Sequence, residues 1–531
     1  MTAVFGTLPK TPSGTAARNL APNYVDGAIL GNDHEWFLYG GLLRQTDEFT
    51  EPSATSVLGY QKFQYGVEKP AFLPGFLNVE LPTGLSRYLA YGGAASAPSE
   101  NKAWYFSGMH APGFGPIYEP GRNESLTAIN ISSTLITLDM ATQQKESWKN
   151  DSLPPEILGR AGPELVWVPV GSQGILAALG GVVFPGYSRT SGRSSNEVVS
   201  KETSPGFMST IDIYDVASGK WHRQPTSGEA PGQLTRGCAV VAPARDRSSF
   251  NVYYYGGYDG MASTNAFNDD VWVLSIPSFT WTKITSSTNK DGGRAGHKCF
   301  MPYPDQMLVI GGYQTLTGNA PTCLRETIRV FNLTSGVWLP RYDPAKHADY
   351  GVPGAVVGKI GGSPTGGATL TTPAASWAPS LAAVFETAYP TSKITTYYPY
   401  QSVGPNDNTN PTVPPGNNDS GGGVPAYLPP VLGVVLGLVF LTMLAVLFLL
   451  WRRRKIFRSR SGLSEAGTED TNGHRILSWM RGHSAGDKMT ITSDETPSSP
   501  GDVDSVTTTH PQSIPEIMGQ EVSHPVELPG M

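Results

Sequence analysis

Cysteine is nearly absent from this chain. Three residues in 531, Cys238, Cys299 and Cys323, are too few for a fold held by a disulfide framework. None stands in a CxxC pair and no HExxH occurs, so local spacing gives no zinc site. Charge is sparse as well, at 15% of residues with a net of -6. No basic patch precedes residue 426, which gives no case for a nucleic-acid partner. GxSxG, a P-loop and an Asp-box are all missing. The nine histidines are scattered; His34, His110, His222 and His297 stand at strand or loop edges without a spaced partner. The expectation is therefore no catalysis, no cofactor and no metal. The first twenty residues lack the apolar run of a signal peptide, so the expectation is either an incomplete start or targeting by the later apolar helix.

Glycine and proline, at 61 and 45 residues, are plentiful and suit many short strands and turns. The clearest unit is Phe250–Ile284. A β-branched and aromatic strand ends in Gly256-Gly257, a polar loop follows, then Asp270–Ser275 as another strand and Trp281, placed to pack on the next sheet. The same marker recurs at Gly40-Gly41, Gly180-Gly181, Gly311-Gly312 and Gly361-Gly362, with a degenerate copy ending at Gly108. Strands at Thr134–Asp139, Thr210–Asp215, Asp270–Ser275 and Thr327–Asn332 are each closed by a tryptophan: Trp148, Trp221, Trp281 and Trp338.

A double glycine after one strand, an aromatic-rich strand and a spaced tryptophan resemble kelch repeats over about residues 20–380. The resemblance implies an all-β, kelch-type β-propeller of four-stranded blades, with six blades expected from six markers and seven as the alternative. The markers lie 50 to 76 residues apart, so insertions fill the surplus. Their positions, His110–Ser132, Tyr187–Gly206, Asp259–Phe267 and Tyr313–Arg325, place long polar loops on one face, where binding residues usually sit. By repeat symmetry Arg87, Arg160, Arg236 and Arg294 form part of a ring near the channel mouth. Such a ring either grips a carboxylate or acidic peptide or simply bonds carbonyls between blades. Cys238 and Cys299, in the first strands of adjacent repeats, are expected as small buried hydrophobes, with a Cys299–Cys323 bridge possible outside the cell.

Residues 1–380 thus read as the propeller and 381–426, rich in Pro, Thr, Ser, Gly and Asn, as a stalk. Residues 427–451 read as a transmembrane helix, since Val431–Trp451 is long enough to span as a helix. Arg452, Arg453, Arg454 and Lys455 follow at once, placing that end in the cytoplasm and the propeller outside, at the plasma membrane, and offering contacts to anionic lipid. The remainder of 452–531 reads as a disordered cytoplasmic tail. Glycosylation sequons at Asn123, Asn130, Asn150, Asn332 and Asn418 all precede the span. The layout is similar to kelch-repeat membrane proteins of filamentous fungi. A copper radical oxidase on a kelch-like propeller needs tyrosine and histidine ligands and a cysteine–tyrosine crosslink, and no such set is recognisable here. The favoured reading is a membrane-anchored, non-enzymatic binding, adhesion or scaffold protein that engages a protein or glycan. The alternative is a tethered extracellular oxidase or carbohydrate-active enzyme.

Overall fold

A computed structural model describes residues 24–396 apart from 45–50, 62–75, 120–122, 286–291 and 316–320 and the single positions 263, 323, 325 and 344. Twenty strands form five antiparallel sheets, each a meander. Blade 1 comprises Tyr24–Gly31, Glu35–Arg44, Ser56–Gln61 and Phe76–Glu80. Blade 2 comprises Gly93–Ala97, Lys102–Phe106, Thr134–Asp139 and Ser147–Ser152. Blade 3 follows with Glu164–Val168, Ile175–Leu179, Thr210–Asp215 and Lys220–Pro225. Blade 4 has Cys238–Pro243, Phe250–Tyr255, Val271–Ile276 and Thr280–Thr285, and blade 5 has Ala295–Tyr303, Gln306–Thr315, Ile328–Asn332 and Val337–Leu339. First strands of successive blades lie side by side around the axis.

The tryptophans hold one register. In the pairing of third and fourth strands, Trp148 faces Leu138, Trp221 faces Tyr214, Trp281 faces Leu274 and Trp338 faces Phe331. Each packs on the preceding blade rather than the next: Trp148 on Phe37 and Tyr39, Trp221 on Phe106, Trp338 on Tyr255. Trp281 donates its indole N–H to the Met208 carbonyl of blade 3 at 2.8 Å. Phe250–Tyr255 and Val271–Ile276 are buried at every position because neighbouring blades cover both faces. Continuous rather than alternating apolar runs result.

The glycine markers explain the spacing between blades. In blades 1, 3 and 4 a Cβ on the first glycine would meet a carbonyl of the following blade: Leu89 at 2.7 Å from Gly40, Leu234 at 2.5 Å from Gly180, Arg294 at 2.8 Å from Gly256. The second glycine donates its N–H to that same carbonyl, from Gly41 to Leu89, Gly181 to Leu234 and Gly257 to Arg294. In blade 2, Ser107 stands in the first position at φ 55. Its hydroxyl donates to the Ser132 carbonyl and accepts from the Arg160 amide, both at 2.7 Å.

The expected count of six blades, with seven as alternative, is corrected to five. The sixth marker, Gly361-Gly362, ends a helix and not a strand. Gly354–Ile360 is helical, with Pro353 at its N-cap and Gly361 at its C-cap with φ 76. Proline before and glycine after are helix punctuation, and the double glycine imitates the strand marker. That helix caps the seam of blades 4 and 5, where Val356 and Ile360 are buried among Tyr253, Met307 and Phe331. Residues 378–385 cover the seam of blades 3 and 4, with Ala378 and Leu381 in its core.

The span expected at 427–451, Arg452–Lys455, Asn418 and the tail lie outside the described residues. Among the described residues no helix is long and apolar enough to cross a membrane.

Candidate functional site

One residue per blade takes a left-handed backbone conformation where the chain leads into its first strand. These are Asp26 (φ 54), Tyr91 (φ 60), Gly162 (φ 62), Arg236 (φ 60) and Gly296 (φ 68). Their backbones form a chain of hydrogen bonds around the axis. Tyr91 N donates to Asp26 O at 3.3 Å, Gly162 N to Tyr91 O at 2.6 Å, Arg236 N to Gly162 O at 3.0 Å and Gly296 N to Arg236 O at 2.9 Å. The Arg236 guanidinium then reaches the Asp26 carboxylate, donating to both oxygens at 2.8 Å. The rings of Tyr91, Tyr187 and Tyr313 surround it at 4.9 to 5.3 Å, cation–π contacts that stabilise a desolvated charge.

The other three arginines do not share this position. Arg160 and Arg294 stand two residues before Gly162 and Gly296, where blades 2 and 4 carry Leu89 and Leu234. Arg160 is fully buried, pairs with Asp212 at 2.5 Å and donates to the Gly180 and Ala178 carbonyls. Arg294 donates to the carbonyls of Gly311 and Glu326, and Arg87 to that of Ser56 at 2.7 Å.

A different constellation lies between blades 4 and 5. The sulfurs of Cys238 and Cys299 are joined as a disulfide across the two first strands, with their Cα atoms 5.5 Å apart. Cys299 is therefore partnered by Cys238 rather than Cys323, which lies outside the described residues. A ring nitrogen of His297 lies within 4.8 Å of both sulfurs. His297 Nε2 is 3.2 Å from the Tyr255 carbonyl, whereas Nδ1 is buried without a partner. A ligating histidine commonly donates its second nitrogen to a carbonyl in this way, which fixes the tautomer. Burial, and next the Arg294 charge, push His297 down to about 3, so the imidazole is neutral and its lone pair is free. Cys238 and His297 are each 1% exposed and Cys299 is half-buried, so access is from the Cys299 side.

With the two thiols reduced, this is a Cys-His-Cys ligand set for a metal ion. It overturns the expectation of no metal, and with it both the exclusion of enzymatic activity and the reading as a purely non-enzymatic binding or scaffold protein. The set was not evident because Cys238 arrives from another blade, about sixty residues away. His297 and Cys299 are two apart on one strand and so share a face, but they make only two ligands by themselves. The one signal available was that both cysteines occupy first strands of adjacent repeats.

Fold and site together define a kelch-like β-propeller carrying a candidate metal centre at a blade seam. No protein-family model matches the chain. It is 27% identical over 515 residues, covering 89% of this chain and 72% of its relative, to a kelch repeat-containing protein of the fungus Arthroderma benhamiae. The chain is thus a β-propeller with kelch-like repeats related, at low identity, to a fungal kelch-repeat protein.

Proposed function

We propose that this protein is a propeller-borne redox enzyme of the oxidase or carbohydrate-active type, with Cys238, His297 and Cys299 holding its metal. The observation that carries this reading is the convergence of three ligating atoms within 4.8 Å, two sulfurs and a ring nitrogen of the buried His297. Two thiolates and an imidazole are soft and borderline donors that suit copper or zinc. Copper would supply one-electron chemistry, and the half-buried Cys299 side leaves the one approach to it. The set differs from the tyrosine-rich ligand set of copper radical oxidases. Tyr255, whose ring centre is 5.2 Å from that of His297, has its hydroxyl engaged with Asp269 and Arg329.

The compartment decides which form of the centre is present. A reducing compartment yields the dithiol, and an oxidising one the disulfide. The basic run Arg452–Lys455 after the apolar stretch 427–451 supports a single-pass membrane protein with the propeller outside and the tail at 452–531 inside. Since Leu381, Tyr389 and Lys393 pack on the propeller, the stalk begins after them and not at 381. The basic run also supports contact with anionic lipid. Outside the cell the disulfide is the favoured form, so in that topology the metal has to be bound before the thiols oxidise, and the loop-rich propeller face then meets a substrate there.

The test is metal analysis of the purified chain before and after mild thiol reduction under argon, with copper or zinc supplied. One metal per chain after reduction, lost in His297→Ala and Cys238→Ser, is the expected result. Reduced, folded protein that takes up no metal overturns the reading and leaves the disulfide as a covalent staple between blades.

A further inference from the structure

On the face opposite the left-handed ring, the first-to-second-strand turns of blades 4 and 5 border a cavity of about 530 Å³, the size of a small-molecule site. Its body is apolar, built from Pro243, Met301, Pro302, Pro304 and Ile394, with Tyr303 and Tyr350 in the wall. Three charged groups line it, Arg245, Arg247 and Asp349, which leaves one net positive charge.

The arginines stand on a turn fixed in place. Ala244 N donates to Ser249 O at 2.8 Å and Arg247 N to Ala244 O at 2.8 Å. Asp246, between them, stays a carboxylate but makes no ion pair with either among the described residues. One of its carboxylate oxygens accepts from the Ser248 amide at 2.9 Å and the other from the Gly367 amide at 2.6 Å. The Ser248 hydroxyl accepts from the Ala368 amide at 3.0 Å, which ties the turn down a second time. Neither the Arg245 nor the Arg247 guanidinium has an ion pair or hydrogen bond among the described residues. Arg247 also sits at φ 59, a backbone conformation that costs an arginine and suits glycine or asparagine. Both arginines are exposed and line the cavity, so their guanidinium groups are open to a ligand.

We propose that this cavity binds a small organic carboxylate with an apolar body. The carboxylate would be received by Arg245 and Arg247 through charge-assisted hydrogen bonds, and the body by the proline, methionine and isoleucine walls. Asp349 accepts a hydrogen bond from a ligand hydroxyl or amine and disfavours a second negative charge. This site stands apart from the Cys238–His297–Cys299 centre and does not depend on it.

Isothermal titration of the full chain with 3-phenylpropionate and with its neutral amide tests the proposal. The carboxylate is expected to bind saturably, and the amide at least about tenfold more weakly. Arg245→Gln and Arg247→Gly are each expected to weaken the carboxylate by a similar factor. Arg247→Gly, which removes the φ strain, is also expected to keep or raise the melting temperature, so lost binding cannot be assigned to unfolding. Absence of saturable carboxylate binding overturns the proposal. So does equal binding of carboxylate and amide, or binding by Arg247→Gly equal to that of the unaltered chain.

Discussion

Arg236 and Asp26, 210 residues apart in the chain, meet through two hydrogen bonds of 2.8 Å from one guanidinium nitrogen to both carboxylate oxygens. Blade 4 supplies the cation and blade 1 the anion, so the pair ties the start of the propeller to its later half. Both groups are largely withdrawn from water, at 8% and 18% exposure. Loss of one partner leaves the other charge stranded. Asp26→Asn is expected to cost about 3 kcal/mol, read by urea unfolding. A cost below about 0.5 kcal/mol, the range of ordinary surface substitutions, would show that the pair does not hold the ring.

The glycine markers give a test of blade packing. Gly256→Ala places a Cβ 2.5 Å from the His297 ring and 2.8 Å from the Arg294 carbonyl at φ 75. Strain and overlap together are expected to cost about 2–4 kcal/mol. At Gly311, φ is 68 and none of the described residues lies within 4 Å, so Gly311→Ala is expected to cost only the backbone term of about 1–2 kcal/mol. Equal losses in the two variants would show that backbone strain, and not contact with the following blade, sets the cost at Gly256.

Trp281 is 1% exposed, and its indole N–H is bonded to blade 3. Trp281→Ala is expected to lose about 3–5 kcal/mol, while Trp281→Phe keeps most of the packing and removes one of two donors to the Met208 carbonyl, which retains the Thr226 hydroxyl at 3.3 Å, for about 1 kcal/mol. Thermal and urea unfolding of both variants check the order. Equal losses would make the hydrogen bond, not the ring volume, the main contribution.

Sequon use separates by geometry. Asn123, Asn130 and Asn150 are exposed, whereas Asn332 is half-buried with its amide donated to Asp305 at 3.2 Å and its oxygen accepting from the Ser335 amide. If the propeller faces the secretory lumen, Asn123→Gln, Asn130→Gln and Asn150→Gln are each expected to remove one step of electrophoretic mobility shift. Asn332→Gln is expected to remove none. Absence of any glycosidase-sensitive shift would count against a luminal propeller.

Much of the propeller was legible in the residues. Gly108, Gly180-Gly181 and Gly256-Gly257 follow the ends of second strands, whereas Gly40-Gly41 and Gly311-Gly312 lie within Glu35–Arg44 and Gln306–Thr315; all of them take positive φ. Trp148, Trp221, Trp281 and Trp338 all fall in fourth strands, because one pairing register repeats. Gly361-Gly362 misled, since a helix C-cap and a strand end ask the same conformational freedom of glycine. The metal ligand set was not legible, because its atoms converge only after two first strands are laid side by side. Likewise, the distinct roles of Arg236 and Arg160 depend on an offset of two residues that motif spacing alone does not resolve.

The chain of backbone bonds from Asp26 through Gly296 has a direction, each link running from one blade's N–H to the previous blade's carbonyl. Duplicating a blade would insert one more link and disturb no other. Nothing in the backbone, then, counts the blades. The mouth would widen with each insertion, however, and draw Asp26 away from Arg236. A single side chain's reach thus serves as the gauge of circumference, and a lineage that gained or lost a blade would have to change that pair first.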